Sequence, residues 1–513
     1  MSASTFYITT AIDYPNAAPH LGHSLEKVAA DVVARYHRLI GDDVAFCMGL
    51  DENSQHIVRA ASDNGVTPAA WTDQMEVAFL RAWKALNISV DSWTRTTEAR
   101  HFRASTELFQ RAVDNGDIYK AIYAGWYCPN CNNYYNESEL VDGRCPAHPT
   151  IEPDWLEEEN YFFALSKYTE ILKDHFARNP EFVTPDVWRP EMMALLESGL
   201  KDFSVSRQVR EGQDAWGIPV PGDPAHVMYV WFDALTTYLT AIGFPDDTSR
   251  FDRYWPAESQ IIGKDITRFH CLYWPAMLMA GGLPLPNRIV VHGFMTLEGK
   301  RISKTTGNII DPVELVEELG ADPLRYYLMR DVSLASDGDF SRANLLHRYN
   351  SDLGNDLGNL LNRVVSMIGR YRDGVVPSPG TEGALERDIR SVADLSRTHA
   401  QRLIEEWDLD DAIDAIWQLV RRTNQYLEER QPWRLAKDHE RAADLDMTLW
   451  SAAEATRIAG LLLAPYMPDT ADRIMDQLGL PPVAPGDLLT RGSWGSVTFG
   501  RVGAAVPLFP RIE

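Results

Sequence analysis

Two histidines and a glycine stand at His20, Gly22 and His23, in the stretch YPNAAPHLGH at 14–23. Each imidazole can donate a hydrogen bond to charge developing on a phosphoryl group. Gly22, with no Cβ, lets backbone approach a phosphate closely. Far along the chain, Arg301-Ile302-Ser303-Lys304-Thr305 forms a basic loop with hydroxyls on either side of a lysine. Two such elements can grip a triphosphate from opposite sides, which suits attack at its α-phosphate by positioning and charge neutralisation. H-x-G-H taken alone constrains only three positions, and a surface loop could carry it. Cys128 and Cys131 have CxxC spacing, and Cys145 and His148 repeat that spacing. Four thiol and imidazole ligands in two pairs fit a tetrahedral zinc knuckle, with Pro129 and Pro146 shaping its turns. With every position filled by protein, that zinc is structural.

The elements that position these residues can be read in order. Phe6–Thr10 is an apolar, β-branched run ending before Pro15, and reads as a buried strand. Leu25, Val28, Ala29, Val32, Val33, Tyr36 and Leu39 then recur at helical spacing. The histidines therefore lie where a first strand meets a first helix, the place where open parallel sheets bind phosphate. A second strand is expected at 43–49, with helices at 68–86 and 98–115. The alternation is that of an α/β domain. From 118 the pattern changes to a hairpin arm at 118–126 and the cysteine pairs, then helices at 161–179 and over PDVWRPEMMALLESGL. Strand-to-helix patterns return with HVMYVWFDALTTYLTAIGF and SQIIGKDITRFHCLYWPAMLMAGGL, and NRIVVHGFMTLEG reads as one more strand. Segment 118–220 is thus expected to be an insertion in a split α/β domain. Beyond about 345, amphipathic helices at 342–371, 384–406, 409–429 and 444–463 read as a helical bundle.

The 513 residues are 45% hydrophobic and 24% charged, the composition of a globular protein with a sizeable core. The N-terminus has no secretory pattern, and no stretch reaches the roughly 20 apolar residues of a spanning helix, so a cytoplasmic location is expected. A net charge of −24 argues against general nucleic-acid coating while leaving room for a specific RNA on local basic patches. Three of the five cysteines fall in 128–145, a metal pattern instead of a disulfide framework.

Together, HLGH at 20–23 and RISKT at 301–305 resemble the HIGH and KMSKS motifs of the class I aminoacyl-tRNA synthetases. The knuckle inside a short insertion, and the segments FYITTAIDYPNAAPHLGH, YVWFDALTTYL, IIGKDITRFHCLYWPAML, VHGFMTLEGKRISK and ERQPWRLAK, narrow the resemblance to the bacterial-type methionyl-tRNA synthetase family. It covers essentially the whole chain. It implies a Rossmann-like catalytic domain in two halves (1–117 and 221–290) split by a zinc-knuckle insertion at 118–220. A KMSKS-loop and stem-contact region would follow at 291–344, and an anticodon-binding helical bundle at 345–513.

The implied activity joins methionine to ATP as methionyl-adenylate, then transfers it to the terminal adenosine of initiator and elongator methionine tRNA. Mg²⁺ accompanies ATP. By resemblance His20, His23 and Lys304 are catalytic, and ATP also meets Gly22, Gly263, Asp265, His292, Lys300, Arg301, Ser303 and Thr305. Methionine is assigned Ala11, Ile12, Tyr14, Asp51, Trp231, Ala234, Leu235, Tyr238, Ile266, His270 and Trp274. A thioether suits an aromatic, apolar slot, and Asp51 suits the α-ammonium group. Any one of these aromatics taken singly is equally a core residue. Asn359, Arg363 and Trp433 match anticodon-reading positions, with Arg421, Arg422, Arg430 and Arg434 as phosphate contacts or a solvated face.

The chain departs from the family pattern at Arg301 and Thr305 in the loop, at Asn53 and Ser54 after Asp51, and at the ligand His148, where many relatives have Cys. Nothing after 480 reads as a further tRNA-binding or dimerisation module, so a monomer is expected. The competing readings are another class I synthetase without an editing domain, an inactive tRNA-binding paralogue, and a small-molecule nucleotidyltransferase. Intact His20, His23 and Lys304 oppose the second, and the helical last third has no purpose in the third.

Overall fold

The computed structural model describes residues 4–128, 133–135, 137–146, 148–209, 215–297, 299–301 and 309–512. Its centre is a sheet of six parallel strands in the order Ser92–Arg95, Asp43–Leu50, Thr5–Thr10, Ser259–Gly263, Ile289–His292, Val183–Thr184. The order reverses between Thr5–Thr10 and Ser259–Gly263, so the carboxyl ends of those two strands open the crevice where such sheets bind ligands. Ile8 pairs with Ser259 on one side and with Phe46 on the other. The strand is buried on both faces, which explains its unbroken apolar run. The first helix, Leu21–Leu39, covers the sheet with Leu25, Val28, Ala29, Val32 and Val33, all buried.

Segment 118–228 interrupts this sheet. A long antiparallel pair, Ile118–Cys128 with Asp154–Phe163, forms its body. The helix expected from 161 begins at Thr169, because Tyr161–Phe163 completes the ladder opposite Ile118–Lys120. Strand Asp223–Met228, expected to lead the returning α/β pattern, pairs with Ser206–Gln208 and Pro219–Val220 in a small antiparallel sheet across position 220. Val183–Thr184 instead joins the edge of the parallel sheet, beside Ile289–His292.

The strand read over NRIVVHGFMTLEG is two strands, Ile289–His292 and Met295–Leu297. They break at Gly293, where a Cβ would lie 2.1 Å from the Ser336 carbonyl oxygen. Met295–Leu297 pairs with Gly338–Phe340 and with Lys300–Arg301, which begins the basic loop.

The remainder is helical. Arg342–Arg348, a π-helical stretch Tyr349–Gly358 and Asn359–Arg372 run on from one another, followed by Ala384–Glu405, Leu409–Arg430 and Ala442–Leu463. Ala442–Leu463 is buried almost along its whole length, as the central helix of a bundle must be. No helix among the described residues is long and apolar enough to cross a membrane.

Candidate active site

The first helix begins with an unusual cap. His20 is its N-cap residue in extended backbone, and its Nδ1 accepts from the Gly22 N–H at 3.1 Å. His23 Nδ1 in turn accepts from the His20 N–H at 3.2 Å. This is a reciprocal capping box with imidazoles where Ser/Thr and Glu usually stand. A neutral ring whose Nδ1 accepts carries its proton on Nε2, although His23 Nδ1 also lies 3.3 Å from the His20 carbonyl oxygen. The cap thus satisfies helix-end donors and fixes the two rings, with centroids 4.1 Å apart.

Both histidines line a cavity of about 320 Å³ at the sheet's switch point. Ala11, Ile12 and Tyr14 enter it from the end of Thr5–Thr10, Asp51 from the end of Asp43–Leu50, and Gly263, Asp265 and Ile266 from the end of Ser259–Gly263 and the turn after it. Helix Val230–Thr240 contributes Trp231, Ala234, Leu235 and Tyr238, and His270 and His292 complete the expected set. Gly22 lies between the capping histidines. Sequence reasoning missed Asp13, Glu26, Lys27, Gly293, Phe294 and Met295, which line the same cavity. Glu26 and Lys27 lie three and four residues after His23 on one helical face, a spacing that an exposed charged pair shares.

Trp274 stands one layer back. Its ring lies 6.0 Å from that of Tyr238, and its Nε1–H donates to Gln260 Oε1 at 3.1 Å. A π-helical turn at Phe269–Tyr273 separates it from His270. The extra residue in such a turn shifts the helical phase on which an i, i+4 argument depends.

The walls are tied together. Trp231 stacks on Phe269 at 3.8 Å with an interplanar angle of 5°. The Tyr238 hydroxyl donates to His270 Nε2 at 2.7 Å, and His270 Nδ1–H donates to the Ile266 carbonyl oxygen at 3.1 Å. Burial pushes His270 down to about 4, so the ring is neutral and its tautomer is set by its two partners. Asp51 is buried, accepts from the Tyr14 hydroxyl, and keeps Oδ1 without a partner among the described residues. Burial, and then the charge of Asp233, raise its carboxyl well above the ordinary range. The carboxyl therefore favours its protonated form in the empty cavity, and a cation entering beside it favours the carboxylate. Tyr14, raised by burial and by Asp51, stays a neutral donor. Behind them Asp233 is held by Asn53 Nδ2 at 2.8 Å and His101 Nε2 at 2.5 Å.

Ser303, Lys304 and Thr305 lie outside the described residues, as does Cys131. For Lys300 and Arg301 the backbone alone is described. Cys128 Sγ and Cys145 Sγ lie 3.9 and 3.7 Å from His148 Nδ1. Zinc bonds of about 2.3 Å to sulfur and 2.0–2.1 Å to nitrogen set tetrahedral edges of roughly 3.5–3.8 Å, so these three side chains fit one metal ion.

In the bundle, Asn359 is exposed at the start of its helix, and Arg363 one turn on pairs with Glu428 at 2.6 Å. Trp433 is half-buried just past the left-handed Gln431 that ends Leu409–Arg430. Arg422 is engaged by Asp388 and Glu429, and Arg430 by Glu386 and Thr448.

Comparison with known proteins fits this geometry. A family model described as "tRNA synthetases class I (M)" matches residues 6–154 and 149–365, and one described as "Anticodon binding domain of methionyl tRNA ligase" matches 376–486. A methionine–tRNA ligase of Caldanaerobacter subterraneus subsp. tengcongensis is 43% identical over 99% of this chain and 79% of its own. The chain belongs to the methionyl-tRNA synthetase family. The Mycobacterium tuberculosis ligase is 45% identical over 93% of this chain and 92% of its own. A structure titled as that organism's methionyl-tRNA synthetase in complex with methionyl-adenylate superposes with a TM-score of 0.94 at 42% identity, covering 99% of this chain and 100% of the other. Its free form superposes with a TM-score of 0.88 at 40% identity, over 100% and 99%. These matches favour the methionyl reading over the competing ones.

Proposed function

We propose that this chain activates L-methionine with ATP to methionyl-adenylate and pyrophosphate, then transfers methionine to the 3′-terminal adenosine of initiator and elongator methionine tRNA. The observation that carries the reading is that an aromatic, carboxylate-bearing slot and a histidine-capped helix end share one cavity. Asp51 takes the α-ammonium group, with Tyr14 holding its other face. Trp231, Ala234, Leu235, Tyr238, Ile266 and the neutral His270 enclose the thioether, and Trp274 backs Tyr238. Ala11 and Ile12 border the amino acid at the strand end.

The substrate carboxylate, already ionised, needs no general base. Its oxygen bonds to the α-phosphorus as the bond to the bridging oxygen breaks, and the electron pair leaves with pyrophosphate. His20 and His23 donate to the phosphates across Gly22. Gly263, Asp265 and His292 form the nucleoside side. Lys304, with Lys300, Arg301, Ser303 and Thr305, supplies charge and hydroxyl donors to the triphosphate. Mg²⁺ arrives with ATP and neutralises part of its charge.

Cys128, Cys131, Cys145 and His148 hold a structural zinc that ties the insertion's turns together. Asn359, Arg363 and Trp433 read the anticodon, Trp433 by stacking and Arg363 by hydrogen bonds to a base edge.

Pyrophosphate exchange into ATP tests the reading. It should require methionine and fail with leucine, isoleucine or cysteine; exchange that ignores methionine would overturn the assignment.

A further inference from the structure

Lys27 has no role in the scheme above, yet it is 1% exposed at the cavity wall. Its three ammonium protons meet three acceptors: the Ala11 carbonyl oxygen at 2.8 Å, Asp13 Oδ1 at 3.0 Å and Glu26 Oε1 at 2.5 Å. A saturated ammonium group holds its neighbours in place and has no proton left for a phosphate. Glu26 reaches onward, with Oε2 lying 3.2 Å from His292 Nε2. On the other side of that ring, Nδ1 lies 2.8 Å from the Gly293 carbonyl oxygen.

Both ring nitrogens of His292 therefore face oxygen acceptors. A neutral imidazole has one donor and one acceptor nitrogen, so one contact would set lone pair against lone pair. With Glu26 ionised, the doubly protonated ring is the form that satisfies both. The buried charges then balance, with Asp13 and Glu26 against Lys27 and His292. Burial alone would raise the Glu26 carboxyl, but Lys27 and His292 outweigh it and hold it below the ordinary range.

Asp265 lines the same cavity beside Gly263. A Cβ placed on Gly263 would lie 2.9 Å from Asp265 Oδ1 and 3.8 Å from the His292 ring. The capping His20 and His23 face the same cavity from the helix end.

We propose that Glu26, clamped by Lys27, is a positioning residue that keeps His292 doubly protonated on the nucleotide side of the cavity. The inference rests on the functional reading above only for what the cation faces. With both N–H groups committed, His292 acts through its field and ring face: a fixed positive charge already in place when the triphosphate arrives.

The test begins on the unmodified protein. With isotope-labelled histidine and His292→Asn to assign the signal, ring-nitrogen NMR near about pH 7.5 should show both His292 nitrogens protonated. A singly protonated ring would overturn the proposal without reference to any variant's folding. In Glu26→Gln the new amide N–H faces Nε2, so the ring should lose a proton. The kcat/KM for ATP should then fall about tenfold while the KM for methionine moves less than about twofold. Unchanged ATP kinetics, or equal loss toward both substrates, would also overturn it. Exchange that does not need methionine would defeat the functional reading while leaving the ring's protonation as found.

Discussion

His270 illustrates how a single side chain sets both chemistry and stability. Its neutral ring accepts from Tyr238 and donates to Ile266, so no charge is placed beside the proposed thioether slot. Folding lowers its pKa from the ordinary 6.5 to about 4. The unfolded chain therefore binds a proton that the folded chain refuses. This stabilising contribution is complete above about pH 6.5 and is lost as pH falls toward about 4, a difference of about 3 kcal/mol. Asp13 works in the opposite sense. Burial raises its carboxyl to about 6, so its unfavourable contribution grows as pH rises from about 4 through 6. A variant isolates the histidine: the stability advantage of wild type over His270→Gln, from urea unfolding, should be about 2 kcal/mol smaller at about pH 5 than at about pH 7. Sequence reasoning placed His20 and His23 at the cavity from their own local signature, and most of the other lining residues through the family resemblance. Glu26 and Lys27 escaped it because a charged pair on an amphipathic helix ordinarily faces water, and only the packing against Asp13 and His292 reveals otherwise.

At the scale of elements, what was legible follows periodicity. The first strand and helix, the helices 68–85 and 99–114, and the four long bundle helices stand close to where their apolar spacing put them. The failures share one cause, which is that tertiary pairing overrides local pattern. Tyr161–Phe163 has a helix-compatible sequence but a strand partner, and Gly293 divides a continuous apolar run because another backbone passes against it. The insertion carries its own prediction. Metal analysis should find about one zinc per chain. Cys145→Ser should lose it and expose the amides of Ile118–Cys128 to hydrogen exchange, with Leu21–Leu39 still protected. Metal-free protein with unaltered exchange would remove the structural zinc from the account.

At the scale of the whole molecule, one arginine joins the catalytic half to the bundle. Arg325 is fully buried in helix Ala321–Asp331. It bonds Asp31 Oδ2 at 2.7 Å on the histidine-capped helix, and the carbonyl oxygens of Pro465 and Tyr466 at 2.8 Å at the end of the central bundle helix. The Leu86 carbonyl oxygen at 3.1 Å is its fourth acceptor. Burial would raise the Asp31 carboxyl, but Arg325 and Arg35 hold it low. Arg325→Ala leaves three carbonyl groups and part of a buried charge uncompensated, and should cost about 3–5 kcal/mol in urea unfolding. Lysine should not rescue it, since a point charge cannot reach four acceptors spread around a planar fork. A loss under about 1 kcal/mol would show that the two halves are held by apolar packing alone.

The edge strand Val183–Thr184 has a consequence for any attempt to trim this enzyme. It is lent to the parallel sheet by the insertion and pairs with Ile289 and Val290 of the strand that carries His292. Excising 118–220 would leave that flank as a row of unpaired amides and carbonyls, able to template a second copy. A shortened catalytic domain is expected to associate through that edge, and a short capping strand grafted in place of the lost one should restore the monomer on size-exclusion chromatography.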